Sequence, residues 1–313
     1  MKNGLNKVVV ILGPTASGKT DLALRLAKEF NGEIISVDSR QVYTKMNIGT
    51  AKPEGKWKTI DKEKKFIVDG IPHYAMDIVD PGKTFTLADF QQLAFQKIKD
   101  ITSRKKVPFL VGGTGLYVWA VVDNLVIPKR PPIKKLRLSF ESKSIEELLA
   151  LLESVDPEAF VMVDKKNKRR LIRALEVAIS TGESFTKQRS KSEPVVEALQ
   201  IGLSWPLSEL YERINRRSEA QWKNGLCEEV KSLLKQRYSF DLPSLSGIGY
   251  RQVGYYLRGE SNEKEVLEII KRDTRRYAKR QLTWFRRDKR INWINKTDYE
   301  KSKKLIKEFL QKK

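Results

Sequence analysis

Gly13-Pro14-Thr15-Ala16-Ser17-Gly18-Lys19-Thr20 follows the apolar run Val8-Val9-Val10-Ile11-Leu12 and precedes a helical pattern over residues 21–30. A G-x-x-x-x-G-K-[ST] segment between a buried strand and a helix is a phosphate loop. Its glycines let consecutive N–H groups face phosphate oxygens, and the following helix adds the positive end of its dipole. All eight residues are therefore diphosphate- or nucleotide-binding candidates, with Lys19 bridging phosphates and the Thr20 hydroxyl ligating Mg2+. The expected ligand is a diphosphate or larger.

Outward from the loop, short β-branched runs recur at residues 8–12, 33–37, 107–111, 199–204 and 291–294, separated mostly by helical patterns. That alternation predicts an α/β fold, a phosphate-loop core with a parallel β-sheet flanked by helices. The gap between the third and fourth runs is too long for one crossover helix. Helical apolar spacing over residues 136–140, 145–152 and 171–179 predicts a helical insertion domain at 120–196, with Pro128, Pro131 and Pro132 at its start and Ser192-Glu193-Pro194 at its end. Residues 1–119 and 197–313 then form the core, whose C-terminal part is largely helical.

The chain has 313 residues, 40% of them hydrophobic, enough for a real core. Its 61 Lys and Arg against 39 Asp and Glu leave a net charge of +22, which suits an acidic polymer as partner. No apolar run approaches the roughly 20 residues of a membrane span, and the N-terminus lacks a signal-peptide core, so the cytoplasm is expected. One cysteine, Cys227, and one histidine, His73, exclude a disulfide within the chain and a Cys- or His-based zinc site. Metal chemistry falls to carboxylates, hydroxyls and phosphate oxygens, the donors of Mg2+. Cys227 reads as a small buried hydrophobe, and His73, in Ile71-Pro72-His73-Tyr74, as a packing or hydrogen-bonding residue of a loop.

Positive charge is clustered at Lys129-Arg130, Lys134-Lys135-Arg137, residues 165–173, Lys187-Arg189-Lys191 and Arg213-Arg216-Arg217, and most densely at residues 271–290. At helical spacing Arg272, Arg276 and Arg280 form one ladder and Arg275, Lys279 and Arg286 another, while Ala278, Leu282 and Phe285 make an apolar ridge. One face packs and the others meet solvent or polyanion. Interleaved Tyr277, Trp284 and Phe285, with Tyr250, Tyr255 and Tyr256, can stack on unpaired bases or fill the core.

Nucleotide-hydrolysing phosphate-loop proteins carry an acidic residue at the end of a neighbouring strand to hold Mg2+. Here the third strand, Val107-Pro108-Phe109-Leu110-Val111, runs into Gly112-Gly113-Thr114-Gly115, with no carboxylate. The acid ends the second strand instead, as Asp38 in Ile34-Ile35-Ser36-Val37-Asp38-Ser39. That places a carboxylate at the edge where α/β sheets bind ligands. It suits metal positioning, removal of a proton from a nucleophile, or capping of the turn that follows. Kinase, NTPase and diphosphate-leaving-group transferase all remain open on this physics.

The phosphate loop, Ile35-Ser36-Val37-Asp38-Ser39-Arg40-Gln41-Val42-Tyr43, Met46-Asn47-Ile48-Gly49-Thr50-Ala51-Lys52-Pro53 and Val111-Gly112-Gly113-Thr114-Gly115-Leu116-Tyr117 together resemble the tRNA dimethylallyltransferase family. Arg173-Ala174-Leu175-Glu176-Val177, Gly249-Tyr250-Arg251-Gln252 and Ala278-Lys279-Arg280-Gln281-Leu282-Thr283-Trp284 extend the likeness over about residues 7–293. The resemblance implies transfer of a dimethylallyl group from dimethylallyl diphosphate to the exocyclic amine of the adenine immediately 3′ of the anticodon in tRNA. An ATP-dependent nucleoside or polynucleotide kinase is the alternative.

By the same resemblance Asp38 accepts a proton from the amine, Thr114 lies near the bridging diphosphate oxygen, and Lys19 neutralises the leaving group. Contacts to the tRNA anticodon stem-loop are implied for Asp38, Ser39, Arg40, Gln41 and Thr114; for Arg137, Arg169, Arg170, Leu171, Ile172 and Arg173 of the insertion; for Ser246, Gly247, Ile248, Gly249, Tyr250 and Arg251; and for Lys279, Arg280, Gln281, Leu282, Thr283, Trp284, Phe285 and Arg286. Where the family usually shows Asp-x-Gln before Arg170, this chain has Asn167-Lys168-Arg169, and Asn still suits a helix cap. With one cysteine it lacks the zinc finger of eukaryotic members, so a bacterial-type enzyme is implied, and a monomer is expected.

Overall fold

A computed structural model of the chain describes residues 5–60, 62–127, 133–186 and 191–312. Pro128, Lys129, Arg130, Pro131, Pro132, Lys187 and Arg189 lie outside the described residues. The chain divides into two compact units, Met1–Val122 with Val195–Lys313, and Asp123–Pro194. Among the described residues no helix is long and apolar enough to cross a membrane.

The larger unit is built on one sheet of eight strands: β1 (Asn6–Leu12), β2 (Gly32–Val37), β3 (Lys56–Ile60), β4 (Glu63–Val68), β5 (Ile71–Tyr74), β6 (Val107–Gly112), β7 (Val196–Ser204) and β8 (Asn292–Asn295), in the order β3-β4-β5-β2-β6-β1-β7-β8. The five expected runs pair in parallel, with Val9 opposite Phe109 and Leu199, and Val37 opposite Gly112. Side chains alternate across a strand, so β1 feeds two cores. Val8, Val10 and Leu12 pack with Phe90, Ile98 and Ile101 of α2 (Leu87–Ser103) and with Tyr117, Val118 and Val121 of α3 (Gly115–Val122). Val9 and Ile11 pack with Leu22 and Leu26 of α1 (Lys19–Glu29) and with Ile306 and Phe309 of α12 (Tyr299–Gln311). A strand covered on both faces must be apolar throughout, and this is why β1 reads as an unbroken run.

Three strands escaped the sequence reading. β3 and β4 pair antiparallel, as do β4 and β5, and β5 joins β2 in parallel. Every residue of β3 is exposed, and Lys-rich edge strands lack the apolar alternation that marks a strand. Asp69 (φ 49°) and Gly70 (φ 82°) join β4 to β5, and an Asp-Gly pair with both residues left-handed is a hairpin turn signal that was available. His73 is thus a strand residue, not a loop residue. It is buried, its Nδ1 lies 3.0 Å from the Ile71 carbonyl, and burial pushes its pKa down to about 4, so it is neutral.

The C-terminal helices are α8 (Leu207–Lys223), α9 (Leu226–Lys235), α10 (Tyr250–Leu257) and α11 (Glu263–Phe285). As expected, Ala278, Leu282 and Phe285 are the buried ridge of α11, and Cys227 is buried beside Val42, Tyr43 and Met46.

The smaller unit holds α4 (Lys134–Glu141), α5 (Ile145–Val155), α6 (Pro157–Met162) and α7 (Lys168–Thr181) around Phe140, Leu148, Leu152, Ala159, Leu171, Ile172 and Leu175. Ser144 and Glu147 form a capping box on α5, Asp156 caps α6 ahead of Pro157, and Asn167 caps α7. Its one deeply buried carboxylate on α7, Glu176, accepts from Ile133 N (2.6 Å), Arg137 Nε (3.1 Å) and Nη2 (2.9 Å), and Arg173 Nη1 (2.7 Å). Burial alone raises a carboxyl pKa, but these donors outweigh it and hold Glu176 below its ordinary value. Glu176→Ala is expected to destabilise this unit by about 3 kcal/mol, the low end of the cost of orphaning buried charge because both arginines keep some solvent. Urea unfolding followed on a probe within the unit checks this; an unchanged midpoint would assign the carboxylate no structural role.

Candidate active site

Parallel strands bring their carboxyl ends to one edge. There the phosphate loop after β1, Asp38 after β2, Gly113-Thr114 after β6 and Trp205 after β7 come together. The loop is held from behind. Trp205 Nε1 donates to Ser17 O (3.0 Å), Arg213 Nε to Ala16 O (2.8 Å), and Arg217 Nη2 to Thr15 Oγ1. Gln281 Oε1 accepts from Thr15 N (2.8 Å) while its Nε2 donates to Gly113 O (2.8 Å). With these donors pulling on its carbonyls, the loop turns with Ala16 left-handed at φ 64°.

The loop borders a cleft of about 520 Å³ lined by residues 15–21 and by Asp38, Gln41, Thr50, Ala51, Pro53, Val111, Gly112, Arg213, Arg216 and Arg217. It gathers uncompensated cations. Burial lowers the Lys19 pKa to about 7, with Arg217 repelling and Asp38 partly offsetting, and its Nζ bonds the Pro14 carbonyl at 2.7 Å. Burial likewise lowers Arg217 to about 10. Ser17 Oγ and Arg217 Nε are buried with no hydrogen-bond partner among the described residues. Native proteins rarely leave such groups unsatisfied, and desolvated cations beside orphaned donors form an anion site. Arg213, Arg216 and Arg217, read from sequence only as part of a basic cluster, were missed as members of it. Their i, i+3, i+4 spacing puts them on one face of α8, but only the tertiary fold turns that face to the loop.

A bound anion restores the charged form of Lys19. Between the free pKa near 7 and its higher value in the complex, binding takes up a proton, so affinity falls as pH rises through that window, by up to about tenfold per pH unit. Calorimetry with inorganic diphosphate at pH 8, in two buffers of different ionisation enthalpy, is expected to show proton uptake that Lys19→Met loses. Equal uptake by both proteins would assign the proton elsewhere.

Asp38 does two jobs. Its Oδ1 accepts from Arg40 N (2.8 Å) and Gln41 N (3.4 Å), capping the turn, while Oδ2 has no hydrogen bond among the described residues. Thr114 is fixed beside it, with Thr114 N donating to Val37 O (3.2 Å) and Oγ1 accepting from Ser39 N (3.2 Å). Tyr277 lies close enough to feel the Asp38 charge; burial first, then that charge, push its pKa up to about 12, so it is a neutral phenol. Tyr277 was read only as an aromatic of α11 and is a site residue instead.

Of the expected RNA contacts, Arg169, Arg170, Ser246, Arg251, Lys279, Arg280, Thr283 and Arg286 are exposed. Arg137 and Arg173 are oriented by Glu176, and Arg40 donates to Ser244 O (3.4 Å), to Ser246 Oγ (3.1 Å) and to Pro243 O. Trp284 packs against Trp119 with ring centroids 4.7 Å apart and the planes tilted by 37°. Leu171, Ile172, Leu282, Phe285, Tyr250, Gln281, Gly247 and Gly249 are buried. The buried side chains are a correction to the stretches as read: they pack or position, because an amphipathic helix presents only part of each turn to solvent. Ile248 is half-buried.

The cleft contains hydroxyls and two carboxylates, Asp21 and Asp38, and no three His, Cys, Asp or Glu side chains converge among the described residues. Thr20 lines it. Such a donor set fits a cation that keeps waters and ligand oxygens in its shell, the habit of Mg2+.

Two family models match: IPP transferase over residues 41–288 and isopentenyl transferase over residues 6–69. The tRNA dimethylallyltransferase of Acetivibrio thermocellus is 41% identical over 310 residues, spanning 97% of this chain and 96% of its own, and that of Roseiflexus sp. is 44% identical over 284 residues, 90% of each. Among solved structures, the tRNA isopentenylpyrophosphate transferase of Bacillus halodurans superposes with a TM-score of 0.68 at 39% identity, covering 97% of this chain and 95% of that one. A eukaryotic dimethylallyltransferase acting on tRNA gives 0.74 at 27% identity, covering 94% and 75%.

Proposed function

The chain belongs to the tRNA dimethylallyltransferase (IPP transferase) family, and from that premise we propose that its cleft takes dimethylallyl diphosphate and transfers the dimethylallyl group to the exocyclic amine of the adenine 3′ of the tRNA anticodon. The observation that carries this is the site's asymmetry: desolvated cations and orphaned donors on the phosphate-loop side, and Asp38, a carboxylate with a free oxygen, on the other. A diphosphate leaving group needs the first and an amine nucleophile the second.

The reaction breaks the C1–O bond of the donor and forms a C1–N bond to adenine. The amine is a poor nucleophile. Asp38 Oδ2 orients it and takes its proton, while Lys19, Arg217, the loop amides and Ser17 Oγ stabilise the charge left on the diphosphate. Thr114, oriented by Ser39 N, faces the bridging oxygen. Mg2+, held through Thr20 and diphosphate oxygens, would supply further neutralisation of the leaving group. Exposed cations Arg169, Arg170, Lys279, Arg280 and Arg286 contribute the phosphate contacts that hold the anticodon stem-loop. A family of prenyl transferases does not favour the kinase alternative, and β6 ends without the acid that a γ-phosphate site requires.

The test is incubation of the protein and Mg2+ with unmodified tRNA and labelled dimethylallyl diphosphate, followed by nucleoside analysis. Label on the adenosine next to the anticodon is expected; ATP consumption without label would overturn the reading.

A further inference from the structure

Thr50, Ala51 and Pro53 form part of the wall of the cleft. This segment has no regular secondary structure, and its conformation is imposed from outside. Glu229, on α9, accepts three consecutive backbone N–H groups: Asn47 and Ile48 at Oε2 (both 2.8 Å) and Gly49 at Oε1 (3.1 Å). A fourth donor, the Tyr250 hydroxyl, reaches Oε1 at 2.7 Å. Gln221 Nε2 holds the carbonyls of Ile48 and Gly49, and a Cβ at Gly49 would lie 2.4 Å from the Tyr250 ring, so the segment lies directly on that ring. From the other side Gln41 Nε2 donates to Thr50 O and Ala51 O (both 3.2 Å).

We propose that Glu229 is a positioning residue of the reaction: without touching either substrate, it sets the 47–51 wall of the diphosphate cleft and links that wall, through Tyr250, to the Ser246–Arg251 loop on the RNA-binding side. This rests on the reading of the cleft as the diphosphate site. A carboxylate is the only side chain that accepts four donors at two atoms without presenting one of its own. Tyr250 is the first residue of α10 and carries the loop ahead of it; Arg40, two residues after Asp38, ties that same loop to the catalytic turn through Ser246. A shift of the loop therefore moves both walls of the cleft together.

The amide of Glu229→Gln points a donor at backbone donors, breaking the cradle at constant shape, and Tyr250→Phe removes only the link. With the active wild-type enzyme as reference, Glu229→Gln is expected to raise the KM for dimethylallyl diphosphate about tenfold with kcat within about threefold, and to leave the Kd for the anticodon stem-loop measured without donor unchanged. Tyr250→Phe, which keeps the backbone cradle, is expected to leave inorganic diphosphate binding to the free protein intact. It should abolish any change in that affinity caused by adding the stem-loop, a linkage that must be reciprocal in the wild type. Unchanged donor KM in Glu229→Gln, or a stem-loop effect that survives in Tyr250→Phe, would overturn the proposal. Should Glu229→Gln not fold, the Tyr250→Phe result decides. A wild-type protein that transfers no label would instead count against the functional reading itself.

Discussion

Asp38→Asn is expected to lower the single-turnover rate at saturating substrates about 10³-fold, within the range for loss of a positioned general base, or about 4 kcal/mol of barrier. The substitution is selective because Asn retains an oxygen for Arg40 N and Gln41 N, so the turn survives. What disappears is the second carboxylate oxygen and with it the capacity to accept the amine proton. The tRNA Kd at fixed salt should stay within about twofold, since phosphate contacts dominate affinity. A secondary effect follows from charge: Asp38 helps keep Lys19 protonated, so donor affinity should weaken modestly at pH 8. An unchanged rate would remove Asp38 as proton acceptor and leave it as a turn cap only.

Arg217→Ala is the second large effect, a loss of about 10²–10³ in kcat/KM for the donor, as for removal of one preorganised donor to a developing anion. Arg217 is half-buried near Lys19 and carries a buried, unpartnered Nε, an arrangement costly to the free protein and useful only when an anion arrives. The variant should therefore melt at the same temperature as wild type or slightly higher while losing activity, the trade expected where a strained site serves function. Arg217→Lys should recover only part of the loss, because a point charge lacks the planar donor fork. A melting temperature that drops along with activity would mean that Arg217 chiefly supports the Thr15 turn.

What the chain's local pattern determined by itself is considerable. The five parallel strands, the phosphate loop, the strand-end aspartate, the helical insertion and the apolar ridge of α11 are all written in residues close together in sequence, where periodicity and turn chemistry act. The likeness to a known family rested on such local motifs too. The β3–β5 extension was less legible because an exposed, lysine-rich edge carries no apolar alternation; only Asp69-Gly70 announced it.

The tertiary structure alone decided which of many similar cations matter. Arg213 and Arg217 are indistinguishable in sequence from Arg272 or Arg276, yet the first pair is drawn into the cleft while the second stays in solvent. Gln281 and Glu229 show the same thing for polar groups: each acts on a loop between 168 and 266 residues away, Gln281 on Thr15 as the farthest case. Local propensity fixes a residue's helix and its face, whereas desolvation and hydrogen-bond partners are properties of what the fold packs against that face. They exist only once the chain has closed on itself.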